Sequence, residues 1–198
     1  MASIRTFVGI ALSPACRDIM GTLGPRLRAL ARRPVTVTRP ENAHLTLRFL
    51  GDVPEADIPA VQTALAGVAF APFAVQPAGG GFFPGPDRPR VIWAGLAEGA
   101  APCRAVAAAV DAALAPLGFA PQSRPFASHL TLGRVKVPGR DGDWPGILSL
   151  LARTSWPPFP VTAFCLYRST LSAAGSRYDV LAAFPAGGEA DDTPGSAA

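Results

Sequence analysis

The chain contains two histidines, and each opens the same tetrapeptide. His44-Leu45-Thr46-Leu47 lies in the first half and His129-Leu130-Thr131-Leu132 in the second. A histidine pair suits proton transfer near neutral pH. With an unperturbed pKa of about 6.5, one imidazole can be neutral while the other is protonated. Cleavage of a phosphodiester needs that combination. A base deprotonates the attacking oxygen, and an acid on the far side of phosphorus protonates the departing one. Threonine hydroxyls can hydrogen-bond the non-bridging oxygens, and an arginine can neutralise the charge that grows on them.

For this chemistry the side chains must share a face. The motif alternates polar and apolar residues as a half-buried strand does. Alternation puts His44 with Thr46 and His129 with Thr131, while Leu45, Leu47 and Phe49 anchor the opposite face. The same parity places Arg48 on the His44 side, as a candidate substrate-binding residue. Arg134 falls on the wrong face by strict alternation. It reaches the cleft only if the strand bulges, twists or ends near Gly133. No Asp or Glu stands two to four positions after either histidine, and no cysteine is near. That spacing does not suit a metal, so no metal and no other cofactor is expected.

The elements that must position these residues are read from periodicity and punctuation. Strands are expected over 4–12, 35–38, 44–50, 73–76, 90–96, 129–135, 161–167 and 177–184. Helices are expected over 14–33 with Ser13 as cap, over 55–70, over 100–117 closed by Gly118, and over 144–153. Gly51 is read as ending the 44–50 strand, residues 79–89 as a Gly- and Pro-rich loop, and 123–127 as a turn. Phe82 and Phe83 could stack a base but read better as loop anchors; Trp93, Trp144 and Trp156 read as packing residues. The order helix, turn, H-L-T-L strand occurs twice. The expected fold is therefore α+β over residues 1–186: two similar lobes with largely antiparallel sheets flanking a central groove, helices on the outside. Residues 187–198 are small, polar and acidic, and are expected to form a disordered tail.

Composition sets broader bounds. Of the 198 residues, 49% are hydrophobic and 16% charged, enough apolar material for a real core. The net charge is +4, which permits an anionic partner without demanding one. Arg26 to Arg33 read as a solvated helix face. Cys16, Cys103 and Cys165 are odd in number and far apart, which suits reduced thiols in a cytoplasmic protein. The N-terminus lacks the long apolar region of a secretory signal. The apolar stretch 100–119 carries Arg104 and Asp111, and reads as a core-facing helix rather than a membrane span. No membrane association and no stable protein partner is expected, so the protein should be a monomer.

At these residues the chain resembles the 2H phosphoesterase superfamily, and within it the RNA 2′,3′-cyclic phosphodiesterase family, also called the 2′-5′ RNA ligase family. Beyond the two motifs, the resemblance is carried by RTFVGIAL, RPENAHLTLRFLGDV, GFFPGPDRPRVIWAGL, RPFASHLTLGRV and SRYDVLAAF. It implies two lobes around a groove and no metal cofactor. It implies His44 as proton donor and His129 as proton acceptor, with Thr46, Thr131 and the arginine after the second motif, Arg134, on the phosphate. The implied reaction opens 2′,3′-cyclic phosphates, on RNA ends or on cyclic nucleotides, to 2′-phosphates. Two alternatives stand beside it: 2′-5′ RNA ligation, and a non-catalytic module that grips RNA ends.

Overall fold

Apolar alternation makes strands here, and glycines decide where they bend. The computed structural model describes residues 2–122, 125–172 and 175–187. In chain order its elements are β1 (Ser3–Ala11), α1 (Pro14–Ala31), β2 (Val35–Val37), β3 (His44–Pro54), α2 (Ile58–Ala66), β4 (Phe73–Phe83), β5 (Val91–Glu98), α3 (Ala100–Leu114), β6 (Leu130–Val135), α4 (Trp144–Arg153), β7 (Phe159–Val161), β8 (Ala163–Ser172) and β9 (Gly175–Pro185). The strands run β7-β4-β5-β6-β3-β1-β8-β9, with β2 on β6, and the pairings are antiparallel. The fold is α+β.

β3 and β6, the two H-L-T-L strands, lie side by side at the middle. They are joined through one residue pair, Leu45 with Leu130. Outward from that junction run β3-β1-β8-β9 on one side and β6-β5-β4-β7 on the other. Each motif strand thus heads a run of four strands. The two halves of the sheet are not the two halves of the chain: β8 and β9, the last strands, return to pack beside β1, the first.

Helices cover one face. α3 packs on β3, and α2 on α3 and β9; α4 packs on β4, and α1 on α4 and β2. Ser13 caps α1 by accepting the Cys16 N–H at 3.3 Å, and Pro14 fills the first position. Cys16, Met20, Leu23, Leu27 and Ala31 form its buried stripe. α1 stops at Arg32, which takes a left-handed backbone. From the arginine run, Arg33 turns back onto Asp141 and the Val137 carbonyl rather than into solvent. α3 with the 3-10 turn after it is apolar and long enough to cross a membrane by composition. It instead buries Cys103, Val106, Ala107, Val110 and Leu114 against the sheet. Burial pushes the Cys103 thiol up to about 12, and Cys16 is buried too, so these two thiols are inert.

Two glycine readings change. Gly51 does not end β3. It adopts φ 78° where Leu50 is an extra residue between the pairs Phe7–Phe49 and Thr6–Gly51, so it marks a bulge and the strand runs on to Pro54. The expected loop from residue 79 is strand as far as Phe83. A Cβ on Gly81 would lie 2.7 Å from the Trp93 ring, so the glycine clears a bed for that ring. Ser123 and Arg124 of the expected turn, and residues 188–198 of the expected tail, lie outside the described residues.

Candidate active site

The face of the sheet away from the helices carries both histidines. In β3 and β6 the alternation holds through His, Leu and Thr. Leu45, Leu47, Leu130 and Leu132 are buried, while His44, Thr46, His129 and Thr131 are half-buried on the other face. Continuing the Leu45–Leu130 register by one residue sets His44 across from Thr131, and Thr46 across from His129. The structure thus brings the four motif residues into one groove.

A bulge then occurs at the same place in both motifs. Gly9 pairs with Thr46 and Val8 with Arg48, which leaves Leu47 over. Trp93 pairs with Thr131 and Ile92 with Gly133, which leaves Leu132 over. The extra residue reverses the parity that follows it, in β3 as far as the second bulge at Leu50. Arg48 and Gly133 turn inward; Phe49 and Arg134 turn to the groove face.

Arg48 is therefore not a groove residue, contrary to the alternation reading. It is 6% exposed, forms an ion pair with Asp111 of α3 at 3.1 Å and donates to the Ala120 carbonyl. Phe49, expected in the core, is instead 62% exposed. The bulge at Leu132 delivers Arg134 to the groove, where its charge acts on His44. Phe49 and Arg134 occupy equivalent places in the two lobes, so one lobe offers a guanidinium where the other offers a ring.

Each imidazole is held alike. His44 Nδ1–H donates to the Asn42 carbonyl at 2.7 Å, and His129 Nδ1–H to the Ala127 carbonyl at 2.8 Å. A carbonyl can only accept, so Nδ1 carries a proton in both rings and Nε2 is left for the groove. Aromatic rings wall the pair. Phe7 lies 4.5 Å from the His44 ring and Tyr178 meets it edge-on at 5.3 Å. Phe83 meets His129 edge-on at 5.1 Å and stacks on Trp93 at 5.0 Å. Beneath His44, a Cβ on Gly9 would lie 2.9 Å from the Leu45 carbonyl oxygen and 3.3 Å from His44 Cδ2, so glycine makes room for the ring.

The electrostatics follow from this packing. Burial holds the His44 pKa below the usual histidine value, the Asn42 carbonyl opposes that, and the charges of His129 and Arg134 lower it further. Arg134 beside two imidazoles that can accept protons makes the groove suited to an anion. Among the described residues, no three His, Cys, Asp or Glu side chains cluster to hold a metal ion.

Sequence reasoning did not single out Phe7, Gly9, Asn42 or Tyr178, and read Trp93 as packing alone. Phe82 and Phe83 part company: Phe82 is buried against Trp144, while Phe83 sits beside His129. Phe7, Gly9, Trp93 and Tyr178 reach the site through cross-strand register, which pairs positions far apart in the chain and leaves no local pattern.

The LigT-like phosphoesterase family matches residues 10–93 and 96–178, both motifs included. The chain belongs to that family. This LigT-like phosphoesterase is 33% identical over 181 residues to an RNA 2′,3′-cyclic phosphodiesterase of Archaeoglobus fulgidus, covering 91% of this chain and 99% of the relative. A crystal structure of a Thermus thermophilus protein superposes with a TM-score of 0.75 at 28% identity, covering 94% of this chain and 100% of that one. Escherichia coli LigT complexed with 3′-AMP shares the fold, with a TM-score of 0.69 at 23% identity over 93% of this chain and 98% of that one.

Proposed function

We propose that this phosphoesterase hydrolyses 2′,3′-cyclic phosphodiester ends of RNA to 2′-phosphomonoesters, with His44 and His129 as its acid–base pair. The observation that carries this reading is the symmetric setting of the two imidazoles. Both are fixed through Nδ1 by a main-chain carbonyl, and both turn Nε2 to one groove that also holds Thr46, Thr131 and Arg134. The activity named for the Archaeoglobus relative and the nucleotide bound by the Escherichia protein agree with it.

The step balances with these groups alone. Neutral His129 Nε2 takes a proton from water as the water oxygen bonds to phosphorus. The bond from phosphorus to O3′ breaks, and protonated His44 gives its Nε2 proton to that oxygen. Thr46 and Thr131 donate to the non-bridging oxygens, and Arg134 balances their growing charge. Products are a 2′-phosphate and a free 3′-hydroxyl. The donor and acceptor roles follow the family resemblance; the symmetry of the two motifs does not choose between them.

A short RNA with a 2′,3′-cyclic phosphate, incubated in excess EDTA, tests the proposal. Wild type should convert it to the 2′-phosphate, while His44→Ala and His129→Ala should each lose on the order of 10²–10⁴-fold in turnover. No conversion by wild type, with or without divalent metals, would remove the hydrolase reading. Unaltered binding with no turnover would favour a module that only grips RNA ends.

A further inference from the structure

The groove continues past the histidines. Beside His44 opens a cavity of about 320 Å³, within the range of small-ligand sites. Asn42, Tyr178 and Arg134 form its inner wall. These residues already meet the catalytic groups: the Asn42 carbonyl holds His44, Tyr178 packs on its ring, and Arg134 acts on its charge. The outer wall includes Arg28 from the last turn of α1, Arg39, and the hydroxyls of Thr36 and Thr38. Among the described residues, no acidic side chain lines the cavity. Arg134 is occupied by the reacting phosphate in the proposed mechanism. Arg28 and Arg39 have no part in that scheme, yet they bring two more guanidiniums to the cavity that Arg134 also lines.

We infer that this cavity binds a second phosphate, the 5′-phosphodiester of the nucleotide whose 2′,3′-cyclic phosphate reacts, with Arg28 and Arg39 as its cationic contacts. The inference rests on the cyclic phosphodiesterase reading and narrows its substrate. A nucleotide at the end of an RNA differs from a free nucleoside 2′,3′-cyclic phosphate by one anion at its 5′ position. A cationic wall one step beyond the reacting phosphate recognises that difference, whereas an apolar or acidic wall would not. The protein therefore prefers chain ends to free cyclic nucleosides. Because the second phosphate is remote from the bond that breaks, the preference falls mainly on KM. Because the arginines are exposed, it weakens as salt rises.

Two small substrates isolate the effect: adenosine 2′,3′-cyclic phosphate, and the same molecule carrying a 5′-phosphate. Wild type should show kcat/KM about tenfold higher for the 5′-phosphorylated form at low salt. In Arg28→Gln/Arg39→Gln the ratio of the two values should fall to about one. A wild-type ratio near one overturns the inference. So does a preference that survives the double substitution, which would assign the cavity to another part of the substrate. If neither compound is turned over, the same pair is compared by equilibrium binding, and the phosphodiesterase reading is decided separately on the short RNA. A 5′-phosphate preference lost in the double variant then upholds the second-phosphate site, and equal binding by wild type overturns it.

Discussion

Leu45 of β3 and Leu130 of β6 pair directly where the two halves of the sheet meet. Both are buried, at the same position of identical motifs. The junction therefore sets the spacing of the histidines, since each ring sits one residue from a leucine in that pair. Truncating either leucine should cost about 2–5 kcal/mol. In a double-mutant cycle by urea denaturation, Leu45→Ala and Leu130→Ala should be non-additive by at least about 0.5 kcal/mol. Strict additivity would mean that the pair is not the joint described here.

Arg48 and Arg134 should separate into stability and activity. Arg48→Ala leaves Asp111 partly buried without its cation, and should lower stability by about 1–3 kcal/mol with kcat/KM nearly unchanged. Arg134→Ala should leave the melting temperature in place and lower kcat/KM by roughly 10²-fold. Thermal melts and initial rates on the same two variants decide it. A catalytic loss in a fully stable Arg48 variant would return that residue to the groove.

The His44 titration carries a sign that can be checked. Its pKa in the folded protein lies below the ordinary value, chiefly because of burial. The unfolded chain, at about 6.5, therefore takes up the proton first. The contribution of His44 to stability is complete above that value. It declines as pH falls from there through the folded pKa, and it changes no further below. Arg134→Gln removes a neighbouring cation, so it should raise the His44 pKa in an NMR titration. A downward or absent shift would contradict the proximity of these groups.

Turnover should be bell-shaped in pH, because one histidine must be protonated and the other neutral. If His44 is the acid, its depressed pKa in the free protein draws the alkaline limb of kcat/KM to lower pH. The limb of kcat should lie higher, since a bound anionic phosphate favours the imidazolium. A rate that rises steadily to pH 9 would remove the acid–base pair.

Gly9→Ala probes the floor beneath His44. The added methyl would press on the Leu45 carbonyl and on the His44 ring edge. Since a displaced catalytic group is costly, kcat should fall about tenfold or more while the protein remains folded by circular dichroism. Wild-type kcat in a folded variant would show that the ring has room to spare.

Much of this was legible in the residues. The repeated H-L-T-L marked both strands and their buried leucines, because period-two alternation is a local signal. Ser13-Pro14 and Gly118 marked the limits of two helices for equally local reasons. What alternation could not supply was the bulge. Arg134 was admitted to the groove through Gly133, whose flexibility hinted at a break, yet the equivalent break at Leu47 has no glycine to announce it. A bulge is settled by the partner strand's register, so Arg48 and Phe49 were each assigned the wrong face. The aromatic walls were hidden likewise, because Phe7 and Tyr178 meet His44 through tertiary packing.

The acceptors that fix the two imidazoles are main-chain carbonyls, of Asn42 and Ala127. An aspartate in that role could be lost by a single codon change. A carbonyl is present whatever amino acid stands there. The genetic target for disabling the proton relay is thereby narrowed to the histidines themselves, to Gly9 beneath the His44 ring, and to the few substitutions able to bend the chain two residues upstream of each histidine. Drift at position 127 is predicted to be cheap for catalysis unless it introduces proline or otherwise turns the peptide plane away, whereas Asn42 also donates its side-chain amide to the Ser176 carbonyl at 2.6 Å and is held by that second contact.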